Sequence, residues 1–148
     1  MNYYQVKLIK NLLADNKTYQ WLAFIWTAIV GFLCLVSFNN LPKVSLSNSD
    51  KLGHIVFHFG ITVLWYLYFR ISRNNENKMA LLKAFLFSFF YGCLLEFLQA
   101  SLTTTRKGDI NDVMANSMGA GLAIVLLLFT AQKAVNKIIE IKARKESR

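Results

Sequence analysis

Four stretches of this chain run too long without charge for a small water-soluble core to hide them. Residues 21–38 are eighteen consecutive uncharged positions, residues 113–131 are nineteen, and residues 84–102 are nineteen with Glu96 as the sole charge. A further uncharged run over residues 55–69 continues the segment that opens at Asp50. Each approaches the roughly 20 residues of helix needed to cross a hydrocarbon layer about 30 Å thick. Hydrophobic residues make up 55% of the 148 positions and charged residues 17%. A domain this short has too little interior to bury so much apolar surface, so lipid is the natural second solvent.

The fold class that follows is all-α: a polytopic transmembrane helix bundle of four antiparallel spans, forming a single membrane domain over residues 1–148. The spans are placed at about residues 21–38, 51–70, 80–102 and 112–131. Connections over residues 39–49, 72–78 and 103–111 have the short lengths of neighbouring antiparallel helices. Residues 1–20 and 132–148 are read as cytoplasmic interfacial segments. The first sets Tyr3, Val6, Leu8, Ile9, Leu12 and Leu13 among lysines, and the second sets Val135, Ile138 and Ile139 opposite basic residues. Both patterns suit amphipathic helices lying on an anionic surface. The first span exceeds a signal-peptide core and is followed by no small-residue cleavage site, so it is expected to stay in place.

Lysine and arginine resist translocation, so their distribution sets orientation. Thirteen lie on the side of the termini, from Lys7, Lys10 and Lys17 through Arg70, Arg73, Lys78 and Lys83 to the basic tail. The opposite side carries four: Lys43, Lys51, Arg106 and Lys107. Both termini are therefore expected in the cytoplasm, and the net charge of +9 is largely topological. No basic stripe interleaved with aromatics accompanies it, so no nucleic-acid partner is expected. Cys34 and Cys93 fall inside spans and read as packing residues, not a disulfide framework. Gly31, Gly60, Gly92, Gly119 and Gly121 read as positions of close helix approach.

Against this apolar background the polar residues gather at one end. Asp50, Glu96, Asp109 and Asp112 are half of the eight acids, and all four belong to outward span ends or the outward loop. Glu96 stands six residues before the end of its run, about 9 Å inside the apolar region at 1.5 Å per residue. A carboxylate there must face the bundle interior and meet a partner or water. Asp50, His54 and His58 follow one another at i, i+4, and Glu96 and Gln99 at i, i+3, so each set shares a helix edge. Asp109, Asp112 and Asn116 share a face if the fourth helix begins near Asp109, where an aspartate also caps the helix. Arg106 stands just outside, suited to neutralise carboxylates or grip an anionic group.

The ordered set Asp50-Lys51-x-x-His54, Glu96-x-x-Gln99 and Arg106-x-x-Asp109-x-x-Asp112-x-x-x-Asn116-x-x-Gly119 resembles the VanZ-like family, over residues 50–121. The resemblance implies a small multi-span protein of the bacterial cytoplasmic membrane. It also implies a link to glycopeptide sensitivity, since the founding member is associated with low-level teicoplanin resistance. Functional weight then falls on Asp50, His54, Glu96, Gln99, Arg106, Asp109, Asp112 and Asn116. Two positions depart from the pattern: His58 stands where an aromatic residue is expected, and Ala123 where a second glycine is.

Three functions fit. In the first, the outward pocket binds an envelope lipid or lipid-linked precursor, with Lys51 and Arg106 on phosphate and the carboxylates on hydroxyl, amine or metal; Gln99 and Asn116 would add hydrogen bonds to the substrate. In the second, the pocket is a membrane hydrolase or transferase: His54 oriented by Asp50 is the base, Glu96 the acid, Arg106 the stabiliser of developing negative charge, and Asp109 and Asp112 complete the catalytic set. In the third, the buried acids and histidine relay protons for a small transporter, which four spans without an internal repeat would serve best as a homo-oligomer. A structural adaptor stitched by the same polar residues is the remaining alternative. No resident cofactor is expected; a divalent metal would draw on His54, Glu96, Asp109 and Asp112, a donor set suited to Mg²⁺ or Mn²⁺. Apart from lipid, the partners considered are a lipid-linked precursor and a glycopeptide.

Overall fold

A computed structural model of the chain describes residues 16–35, 49–102 and 109–146, and among these no strand occurs. Helix α1 spans Asn16–Leu35. Helix α2 spans Ser49–Leu67 and runs into a π-helical turn over Tyr68–Ser72. Helix α3 spans Asn77–Leu102, and α4 spans Ile110–Leu126 with a π-helical turn over Leu127–Ala131 behind it. A final helix, α5, covers Gln132–Glu146. Four segments are long and apolar enough to cross a membrane: Lys17–Leu35, Asp50–Ser72, Asn77–Leu102 and Ile110–Phe129. The expected segment over residues 3–13, the first connection, Arg106 and Lys107 lie outside the described residues.

Burial is reversed relative to a protein made for water. Phe97 is 67% exposed, while its neighbour Glu96 is 5% exposed. Along α3 the exposed residues Leu82, Leu86, Phe90, Leu94 and Phe97 recur at helical spacing and make one apolar outer stripe. The opposite edge, Ser88, Gly92, Glu96 and Gln99, is buried. Apolar outside and polar inside is what hydrocarbon as solvent selects, because an unpaired polar group facing lipid costs more than one held between helices. An open apolar groove lined by Leu81, Leu82, Phe85, Gly121 and Ile124 belongs to the same outer surface, between α3 and α4.

Small residues and side-chain hydrogen bonds hold the helices together. Gly119 of α4 lies so close to the Ile55 carbonyl of α2 that a Cβ there would sit 2.9 Å from the carbonyl carbon. Ala115, Ala120 and Ala123 of the same helix are buried as well. Helix α1 is tied on along its length: Trp26 Nε1 donates to the Phe57 carbonyl (3.2 Å), Trp65 Nε1 to Thr27 Oγ1 (3.0 Å), Tyr91 OH to the Thr27 carbonyl (2.8 Å) and Gln99 Nε2 to the Cys34 carbonyl (2.7 Å). The Trp65 ring sits 3.9 Å from that of Phe87 between centroids and anchors the aromatic half of the core.

At the end carrying the described terminal helix, the turn over residues 73–76 joins α2 to α3, with Asn74 at φ 50°, a left-handed conformation asparagine tolerates. The apolar edge of α5 packs against the bundle: Val135 is buried and Ile138 and Ile139 touch the core. Lys142 Nζ donates to the Ile71 carbonyl (3.0 Å), placing a cation on carbonyls that the π-helical turn and helix end leave free, and Arg70 bonds Asn136 Oδ1 (3.0 Å).

Candidate functional site

The other end of the bundle, where α2 and α4 begin and α3 finishes, holds the polar residues. His54 enters from α2 one turn after Asp50 and is 3% exposed. Its Nδ1 lies 3.0 Å from Asn116 Oδ1 and 3.9 Å from Glu96 Oε1. Both neighbours are acceptors, so Nδ1 carries the proton, and in the neutral ring the lone pair belongs to Nε2. Asn116, from another helix, therefore helps to orient the imidazole. The i, i+4 spacing brings Asp50 and His54 to one edge but cannot reveal a partner on another helix.

Glu96 is held in the interior by α3. Its Oε2 accepts from the Asp109 backbone N–H at 3.4 Å, while Oε1 is buried with no hydrogen-bond partner among the described residues. Asp109 is the N-cap of α4: its Oδ1 accepts from Asn111 N (2.9 Å) and Asn111 Nδ2 (2.8 Å). The Asp109 carboxylate is thus committed to the helix start, and the residue meets Glu96 through its main chain. Asp112, half-buried in the first turn of α4, faces α2 instead. Donor atoms of Asp50, His54 and Asp112 all lie within 4.8 Å of one another. Of the donors read from the sequence for a cation, His54, Glu96, Asp109 and Asp112, this grouping includes His54 and Asp112 and adds Asp50.

Gln99 is buried at this end, and its amide N–H is spent on the Cys34 carbonyl of α1. Lys51 is half-buried beside Asp50 at the start of α2.

Below the site the polar edge continues into the bundle. His58 is fully buried, with Nδ1 2.9 Å from Ser88 Oγ, and Thr62 Oγ1 donates to the His58 carbonyl (2.8 Å). Ser88 and Thr62 had no place in the sequence reading, although Thr62 continues the i, i+4 series of Asp50, His54 and His58, and Ser88 shares an edge with Glu96. Gly92 makes room here, since a Cβ on it would sit 2.9 Å from both Asn116 Nδ2 and His58 Cε1. His58 Nε2 and Asn116 Nδ2 have no hydrogen-bond partner among the described residues.

The arrangement can hold a proton at Nδ1 of a buried imidazole, gather two carboxylates within 4.8 Å of the ring's donor atom, and keep a third carboxylate shielded beside it. No solved structure matches the chain. An uncharacterized protein of Schizosaccharomyces pombe is 30% identical over 97 residues, which covers 66% of this chain. The chain spans 57% of the length of that relative. Residues 5–131 match the VanZ/LLP1 family, and the chain is a member of it.

Proposed function

We propose that this multi-pass membrane protein binds or modifies the phosphate-bearing headgroup of an envelope lipid or lipid-linked precursor in the polar pocket at the start of α2 and α4. The observation that carries the reading is the buried trio of His54, Glu96 and Asn116, drawn from three helices and set within about two turns of the bundle end. Headgroups lie at the mouth of that pocket, with the trio below it, while acyl chains would run along the apolar outer faces. Lys51, with Arg106 and Lys107 in the adjoining loop, supplies cations for the phosphate; the carboxylates meet hydroxyl or amine groups. The excess of lysine and arginine at the opposite end orients the pocket outward and both termini toward the cytoplasm. A relative in Schizosaccharomyces pombe favours a headgroup chemistry not confined to bacterial walls. An effect on glycopeptide sensitivity would follow where that headgroup belongs to a lipid-linked precursor.

Purified protein in nanodiscs offers a direct test, with lipid retention and turnover followed by mass spectrometry across phosphate-bearing and phosphate-free lipids. Selective retention of the phosphate-bearing class, lost in Glu96→Gln and His54→Ala while helicity and melting are kept, supports the proposal. Equal retention of all lipids by wild type and variants removes it. The interhelical bonds of His54 and Asn116 favour a second reading, a structural adaptor. In that case the same variants lower melting and abundance before any ligand is added.

A further inference from the structure

We propose that Asp50, His54 and Asp112 form a binding site for a divalent cation of the Mn²⁺ or Zn²⁺ class, with Asn116 and Glu96 as the groups that aim His54 at it. The donors come from the two helices that approach most closely. Asp50 and His54 stand one turn apart on α2, and Asp112 faces them from α4 across the seam where Gly119 meets Ile55, so the spacing is fixed by backbone packing. Donors around a cation at about 2.1 Å are at most about 4.2 Å apart. The observed limit is 4.8 Å, so a bound cation would draw the donors slightly closer together. One imidazole and two carboxylates are donors that suit Mn²⁺ or Zn²⁺, and they leave coordination positions open for water or a ligand oxygen.

A cluster of acids alone would not identify a ligand; the surroundings of His54 do. Its Nδ1–H is fixed by the Asn116 amide oxygen at 3.0 Å with Glu96 Oε1 at 3.9 Å behind it. A histidine that binds metal through one nitrogen characteristically donates the other to a carboxylate or carbonyl, which fixes its tautomer and raises its basicity. Glu96 is 95% buried, and its Oε1 has no hydrogen bond among the described residues. That oxygen is positioned for a His54 ring made more acidic at Nδ1 by a cation at Nε2. With Nδ1 engaged by Asn116, Nε2 is the nitrogen left for a cation, beside the carboxylates of Asp50 and Asp112. A bound cation also explains how a pocket lined by acids accepts a phosphate. The site itself is nevertheless read on the protein alone and does not depend on which lipid, if any, is bound.

The test uses Mn²⁺ as probe on the full chain, purified in detergent and stripped with chelator. Bound Mn²⁺ is counted by equilibrium dialysis with elemental analysis, and its environment is read by electron paramagnetic resonance. The expected result is about one Mn²⁺ per chain displaced by Zn²⁺, with affinity falling at least tenfold in Asp112→Asn and Asp50→Asn and about 10- to 100-fold in Asn116→Ala. Glu76→Gln, at the far end of the bundle, should bind as wild type. Asp50 is exposed at the start of its helix, so Asp50→Asn keeps the comparison valid if an interior variant fails to fold. Absence of Mn²⁺ and Zn²⁺ from folded wild type, or binding unchanged in Asp50→Asn and Asp112→Asn, overturns the proposal.

Discussion

Gly119 and Gly121 are two residues apart and have opposite importance. A Cβ at Gly119 would meet main-chain atoms of Ile55, which cannot swing away, whereas nothing lies within 4 Å of a Cβ at Gly121. Gly119→Ala should therefore push α2 from α4 and destabilise the bundle by about 1–3 kcal/mol, while Gly121→Ala should stay within about 0.5 kcal/mol of wild type. Denaturant melts in mixed micelles, followed by circular dichroism, check both; equal effects would mean that α2 and α4 do not meet at Gly119. Sequence reading grouped these glycines together as packing residues. Two positions on a helix are about 200° apart, so only one of the pair can face a given neighbour. Which one does so depends on the interior edge that Asp112, Asn116 and Gly119 share. Residue types at the site were legible because charge is scarce in such a chain. Partnerships were not: Asn116 on His54 and Gln99 on Cys34 join helices far apart in sequence, and periodicity describes one helix at a time.

At the scale of elements, α1 is the helix whose attachment rests most on identifiable bonds. Gln99 of α3 holds it near the pocket end through the Cys34 carbonyl, and Trp65 and Tyr91 hold it further down through Thr27. Removing the first clamp with Gln99→Leu should loosen the local packing by about 0.6–2 kcal/mol, the range for interhelical hydrogen bonds in membranes. In a Cys93→Ser background the buried thiol of Cys34 reports this directly: alkylation by a small membrane-permeant maleimide should become several-fold faster, and an unchanged rate would show that the clamp does not hold α1. Span number and order were evident from the uncharged runs, but helix ends were not. Helix α1 already includes Lys17 and Gln20, because a helix continues through polar residues wherever nothing breaks it, while hydropathy marks only where lipid begins. The two π-helical turns had no proline or glycine to announce them. The docking of α5 could be anticipated only as an amphipathic pattern, since Val135, Ile138 and Ile139 serve equally well against lipid or against neighbouring helices.

For the whole molecule the central question is which way the bundle points, because that decides which leaflet the pocket meets. Thirteen lysines and arginines against four bias the end bearing the turn over residues 73–76 toward the cytoplasm. The pocket at the other end would then open to the outer leaflet. Two exposed positions mark the ends without entering the polar network: Glu76 in the turn before α3 and Ile110 at the start of α4. With Cys34 and Cys93 replaced by serine, Ile110→Cys in intact cells should react with a membrane-impermeant maleimide, whereas Glu76→Cys should react only after lysis. The reverse pattern would turn the pocket toward the cytoplasm and remove outer-leaflet and translocated precursor headgroups from consideration. The cation site would survive that reversal, because its donors are set by the contact of α2 with α4 and not by the side of the membrane they face. Orientation and metal binding therefore separate two questions the fold leaves joined: what the pocket holds, and from which compartment it is filled.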